Sequence, residues 1–159
     1  MTDPTETASQ SQLSGLSDDI RAALDIDSVA PSLDRTIDIT TYGASSGKPR
    51  RIETWLHHVD GRWFRTGSPG RRDWYANLRK NPQLIVHLKQ GVRADLDALA
   101  VAITESGERR RIVTLILRAL ETMGGWTTAA PDNIDAWTAG SPLVEIRLCR
   151  QRSTERETA

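Results

Sequence analysis

The sequence predicts an α+β fold, a small antiparallel β-barrel with flanking helices. Three observations predict it. Apolar and polar residues alternate with a period of two in several short segments. Tight glycine-containing turns, Asp60-Gly61 above all, join neighbouring segments closely enough for hairpins. No pair of apolar strands is linked by the regular helical crossovers that a parallel sheet requires.

The elements follow in order along the chain. Residues 1–14 are polar and read as a disordered tail, as do residues 151–159; residues 15–150 form one domain. Ser17 before Asp18-Asp19 marks a helix start, with Ile20, Ala23 and Leu24 on its apolar face. Strand character begins at Arg35, where Ile37, Ile39 and Thr41 alternate with polar neighbours, and residues 43–49 form a turn. Residues 50–59 read as one strand, and residues 62–66 as its hairpin partner. Ser68-Pro69-Gly70 breaks the strand. Residues 71–80 form a short helix with Trp74, Leu78 and Tyr75 on one face, stopped by Asn81-Pro82. Leu84, Val86 and Leu88 mark the next strand, and residues 92–103 another. Residues 105–120 give the clearest helix, with an apolar stripe of Ile112, Leu115, Ile116 and Ala119 closed by Gly124-Gly125. Residues 133–139 form a turn of helix, and residues 143–148 a last strand. The predicted order is helix, three strands, helix, two strands, helix, strand.

Composition narrows the function. Lys plus Arg and Asp plus Glu balance at 21 each, so no overall field draws the chain to nucleic acid. The single cysteine, Cys149, rules out an internal disulfide and a cysteine zinc site, which suits a reducing cytoplasm. No run reaches the length of a transmembrane helix, and the first residues lack the pattern of a signal peptide. Positive charge is clustered nonetheless, at Lys48, Arg50 and Arg51, at Arg71-Arg72, and at residues 109–111.

The segment from Arg65 and Thr66 through Gly67-Ser68-Pro69-Gly70 to Arg71-Arg72-Asp73-Trp74 carries the chemistry. A strand ends, glycines free the backbone, and a helix starts, where unpaired N–H groups attract anions. Arginine adds phosphate-matching charge there. Arg50 and Arg51 open a second strand, and hairpin pairing would bring them near the first cluster. Trp55 and Trp63 suit the core, whereas Trp74-Tyr75 beside the cationic turn suits a flat ligand wall. His57 and His58 face opposite sides of a strand, and His87 stands alone, so no metal site and no catalytic triad can be assembled.

These residues resemble a known family. Gly43-Ala44-Ser45-Ser46-Gly47-Lys48-Pro49-Arg50 is similar to the Gly-Arg-Lys-Ser/Thr-Gly-x-x-Arg turn of the deazaflavin-dependent nitroreductases, the F420H2-dependent quinone reductases. Trp74-Tyr75-Ala76-Asn77-Leu78 and the closing Asn81-Pro82 resemble the later part of its pattern, and the likeness runs from about Asp38 to Leu148. The resemblance implies a split β-barrel that binds coenzyme F420, or FMN as the alternative, and passes a hydride to a quinone-, nitroaromatic- or enone-like acceptor. It implies a cofactor seat of Ala44, Ser45 and Ser46; Arg50, Arg51, Ile52, Glu53 and Thr54; Arg65, Thr66, Gly67 and Ser68; Arg71; and Asp73, Trp74, Tyr75, Ala76 and Asn77. Trp126 and Trp137 are candidate walls for the acceptor. A homodimer is implied by analogy with other split barrels. One departure stands out: the family's Arg-Lys pair is Ala44-Ser45 here, two cations fewer beside an anionic cofactor. A non-catalytic module holding flavin, haem or lipid is the rival reading. The cofactor carries the redox chemistry in such enzymes, so no protein nucleophile is expected.

Overall fold

The computed structural model describes residues 15–27, 30–124 and 127–152. The two predicted tails lie outside these residues, apart from Gln151 and Arg152. The described residues form a seven-stranded, wholly antiparallel sheet in the order β2-β1-β5-β6-β7-β4-β3, flanked by five helices. The elements are α1 (Asp18–Leu24), α2 (Ser32–Arg35), β1 (Thr36–Tyr42), β2 (Pro49–Trp55), β3 (His57–Val59), β4 (Arg62–Thr66), α3 (Asp73–Lys80), β5 (Gln83–Leu88), β6 (Ala94–Ala102), α4 (Ser106–Gly124), α5 (Pro131–Gly140) and β7 (Leu143–Gln151).

The predicted α+β barrel is present, with three differences in its elements. The strand expected over residues 50–59 is two strands. β1 begins only at Thr36, because Pro31 and Ser32 open the short helix α2, so β2 runs out of partner at Trp55. Leu56, fully buried, turns its N–H to the carbonyl of Arg35 (2.8 Å), and His57 then starts a new ladder with Phe64. The turn of helix expected near residue 133 is the ten-residue α5, with Pro131 pre-set for its first turn. β7 extends to Gln151, which pairs with Leu96.

The β3–β4 hairpin shows why its turn was legible. Asp60 and Gly61 both take positive φ, 57° and 67°, the geometry whose twist matches paired strands.

Two cores flank the sheet. Ile37, Ile39, Trp63, Leu84, Val86 and Leu96 fill the barrel side beneath α1 and α3. Phe64, Leu143, Ile112, Ile116, Leu117 and Trp137 pack on the other side beneath α4 and α5. β4 and β7 are covered on both faces, which explains why residues 143–146 are buried without alternation. Trp74 and Leu78, four residues apart on α3, bury one face in the barrel core.

Candidate functional site

A cavity of about 490 Å³ opens where the two cores meet, within the size range of small-ligand sites. Trp74 lines it from the barrel side, Leu120 and Trp137 from the helical side, and Trp55 and His57 flank the break at Leu56. The end of β4 and the turn after it supply Arg65, Thr66, Gly67 and Ser68, and Arg72 joins them. The aromatic walls are flat and apolar. The polar groups are guanidinium, imidazole, hydroxyl and backbone.

Arg65 dominates the electrostatics. Its guanidinium lies over the Trp74 ring, 4.3 Å from the centroid. Its Nη1 donates only a long bond to the Thr66 carbonyl (3.4 Å), and its Nε is buried without a partner. Burial, with a smaller effect from the charge of Arg72, pushes the Arg65 pKa down to about 10. Burial also depresses His57, helped by the charges of Arg35 and Arg65, to about 3, so its imidazole is neutral at physiological pH. Arg72 braces the turn, donating to the carbonyls of Arg71 (3.0 Å) and Ser68 (3.1 Å).

A second, larger hollow of about 750 Å³ lies beyond the turn, lined by Arg71, Arg72, Tyr75, Ala76 and Arg79 among others. Tyr75 meets Trp74 edge-on and is stacked on by Arg79.

The remaining predicted residues divide by strand face. Arg50, Ile52 and Thr54 pair with Thr41, Ile39 and Ile37, and so share the barrel face; the Thr54 hydroxyl is buried without a partner. Arg51 and Glu53 face the other way, in a charge network. Asp38 accepts from Arg51 (3.0 Å) and Lys89 (2.6 Å), and Lys89 also contacts Glu53. The expected meeting of Arg50 and Arg51 with Arg71 and Arg72 is not seen at either cavity, since neither Arg50 nor Arg51 lines them. Asn77 is buried, and its oxygen accepts the Ala44 N–H (2.9 Å) while Asn81 donates to the Gly43 carbonyl (3.2 Å). The helix thereby fixes the path of the first turn, where Ser45 and Ser46 are exposed. Asp73 is exposed in the first turn of α3. Trp126 lies outside the described residues.

Other sequence candidates prove structural. Arg109 donates to the carbonyls of Ile103 (2.8 Å), Thr138 (2.8 Å) and Ser141 (2.6 Å), capping the end of α5. Arg110 pairs with Asp135 and Arg111 with Asp60. His87 does not stand alone: it is held between Thr40 (2.7 Å) and Asp95 (2.7 Å), on a face that lines neither cavity. Sequence reasoning missed His57 and Leu120 as cavity residues and assigned Trp55 to the core, whereas Arg72, in the turn it singled out, does line the cavity. Trp63 is core as expected, its indole N–H bonded to the Leu24 carbonyl. Among the described residues no helix is long and apolar enough to cross a membrane, and no group of three His, Cys, Asp or Glu residues could hold a metal.

The residues fit a flat, anionic cofactor: indole walls, an unpartnered buried guanidinium nitrogen, and no carboxylate in the cavity lining. An antiparallel curled barrel with such a groove at its seam is a split barrel. The profile of the F420H(2)-dependent quinone reductases matches residues 27–125, and the chain belongs to that family of F420-dependent oxidoreductases. In fold it is similar to a conserved hypothetical protein from Mycobacterium tuberculosis, with 19% identity and a TM-score of 0.60 over 86% of this chain and 84% of that one. It is likewise similar to a putative pyridoxamine 5'-phosphate oxidase from Listeria innocua (13% identity, TM-score 0.58, covering 85% and 94%). An F420 reductase shares the fold at 15% identity and a TM-score of 0.51, covering 78% of this chain and 92% of that one. No curated protein matches the chain.

Proposed function

We propose that the cavity walled by Trp55, Trp74 and Trp137 is where reduced deazaflavin meets a quinone-, nitroaromatic- or enone-like acceptor. The observation that carries this reading is Arg65, a half-buried cation whose Nε–H is buried without a partner beside an indole-walled cavity of ligand size. When bound, coenzyme F420 supplies the hydride. The chain does the rest. Trp55, Trp74 and Trp137 hold flat rings and exclude water. Hydride addition leaves negative charge on an acceptor oxygen, and Arg65 and Arg72 provide fixed positive charge for it. His57, held neutral by burial, is not available as an imidazolium acid. Arg50, Ile52 and Thr54 on the barrel face, with Ala44, Ser45, Ser46 and residues 73–77, are the proposed seat for the rest of the cofactor. A homodimer, by analogy with other split barrels, belongs to the same reading.

FMN is a second reading, favoured by Ala44-Ser45, which gives a polyanionic side chain two fewer cations than the family pattern. Titration with F420 and FMN side by side tests both. F420 binds the more tightly, and Arg50→Ala weakens it by roughly 1.5–3 kcal/mol, the range for a hydrogen bond to a charged group. Failure of the parent protein to bind F420 overturns the assignment of cofactor. Unchanged affinity in Arg50→Ala removes Arg50 from the seat.

A further inference from the structure

We infer that the acceptor reduced in the tryptophan-walled cavity is a planar molecule carrying an ionised oxygen, a carboxylate or an acidic ring hydroxyl, seated on Arg65 and Arg72. This rests on the reading of the cavity as a reductase acceptor site and adds the charge of the substrate to it.

The argument starts from how cations are handled elsewhere in the molecule. Arg62 is clamped by Glu145 and Glu108, Arg111 by Asp60 and Glu108, Lys89 by Asp38 and Glu53, and Arg51 by Asp38. Arg109 lacks a carboxylate but is surrounded by carbonyls. Arg65 has neither. It is more buried than Arg51 or Arg111, yet no carboxylate among the described residues pairs with it, and its Nε–H points to no acceptor. The second guanidinium at the same cavity, that of Arg72, adds repulsion and depresses Arg65 further. Burying a cation without a partner, beside another cation, is costly. A cavity that keeps both open toward one space, between indole faces and beside an uncharged imidazole, is complementary to a flat anion. A neutral ring with a carbonyl would satisfy a hydrogen bond and leave two positive charges uncompensated.

The anion could instead belong to the cofactor, and the test separates the two sources. Calorimetric titrations with 2-naphthoate and with its neutral counterpart 2-naphthamide are run on the parent protein, with and without saturating F420. The acid binds the F420-loaded protein about tenfold to a hundredfold more tightly than the amide, the fold-change of one charge-assisted hydrogen bond. Arg65→Gln and, independently, Arg72→Gln collapse that ratio toward one while changing amide affinity little, and Arg65→Lys keeps part of it. A ratio near one in the parent, or a ratio unchanged in both Gln variants, overturns the inference. So does displacement of naphthoate by F420, which would assign the anion to the cofactor itself. If F420 does not bind at all, the reductase reading fails on its own evidence, and the acid-to-amide ratio of the cofactor-free protein still decides whether this cavity is an anion seat.

Discussion

Arg65 and Trp74 show how one contact can serve binding at the expense of stability. Burial holds the folded-state pKa of Arg65 below its unfolded value, so folding disfavours its charged form at every pH below that range. Replacing the guanidinium with an apolar chain of similar length removes this cost and loses the stacking on Trp74 and the long bond to the Thr66 carbonyl. Arg65→Met is therefore expected to raise the stability of the cofactor-free protein by about 1–2 kcal/mol, measured by urea unfolding. Trp74→Ala, by contrast, empties the barrel core and costs about 3–5 kcal/mol. A loss in Arg65→Met comparable to that of Trp74→Ala would mean the arginine is structural. At this scale the sequence was half legible. Trp74 could be found because large aromatics beside a cationic turn are few, and Trp137 through the family resemblance. His57 and Leu120 could not, because nothing local tells a strand histidine or a helix leucine that it will border a cavity. The feature that matters most about Arg65, its missing carboxylate, is a tertiary fact with no sequence signal.

The elements are held in register by polar clamps as well as by apolar packing. Glu145 on β7 is buried and accepts two bonds from Arg62 on β4, Nε to Oε2 at 2.9 Å and Nη2 to Oε1 at 3.1 Å. Arg62 then reaches Glu108 on α4 at 2.7 Å, tying helix to sheet. The bonds from Glu145 hold the Arg62 pKa above its usual value, and the same guanidinium keeps the Glu108 carboxyl below the ordinary range. Glu145→Ala leaves a mostly buried cation with one partner fewer, and is expected to cost about 3–5 kcal/mol; a loss below 1 kcal/mol in chemical denaturation would show that the clamp is dispensable. The helix α3 was read from sequence to its last residue, because Asn81-Pro82 is a local stop. The two-part strand around Leu56 was not. Its cause is the start of β1 at Thr36, twenty residues earlier, and alternation within residues 50–59 cannot report where a partner ends.

At the scale of the whole molecule, acid should loosen the fold through His57. The unfolded chain takes up a proton near the ordinary histidine pKa of 6.5, whereas the folded protein resists it down to about 3. The stability His57 contributes is complete above pH 6.5 and is lost as pH falls toward 3, at up to about 1.4 kcal/mol per pH unit. Thermal unfolding at pH 7, 6 and 5 checks this: His57→Gln should fall less steeply than the parent, and parallel curves would exclude the imidazole as the cause. The barrel itself was legible because its hairpins are local. Its strand order was not, since the last strand must find partners far away in the chain. That order has a consequence for how the protein is made. β7 lies between β6 and β4, in the middle of the sheet, and joins two otherwise separate ladders. While the nascent chain is still short of Leu143, each ladder presents an unpaired apolar edge to its surroundings. The sheet can close only once those strand residues pair with both ladders, and until then each open edge is a site for mispairing.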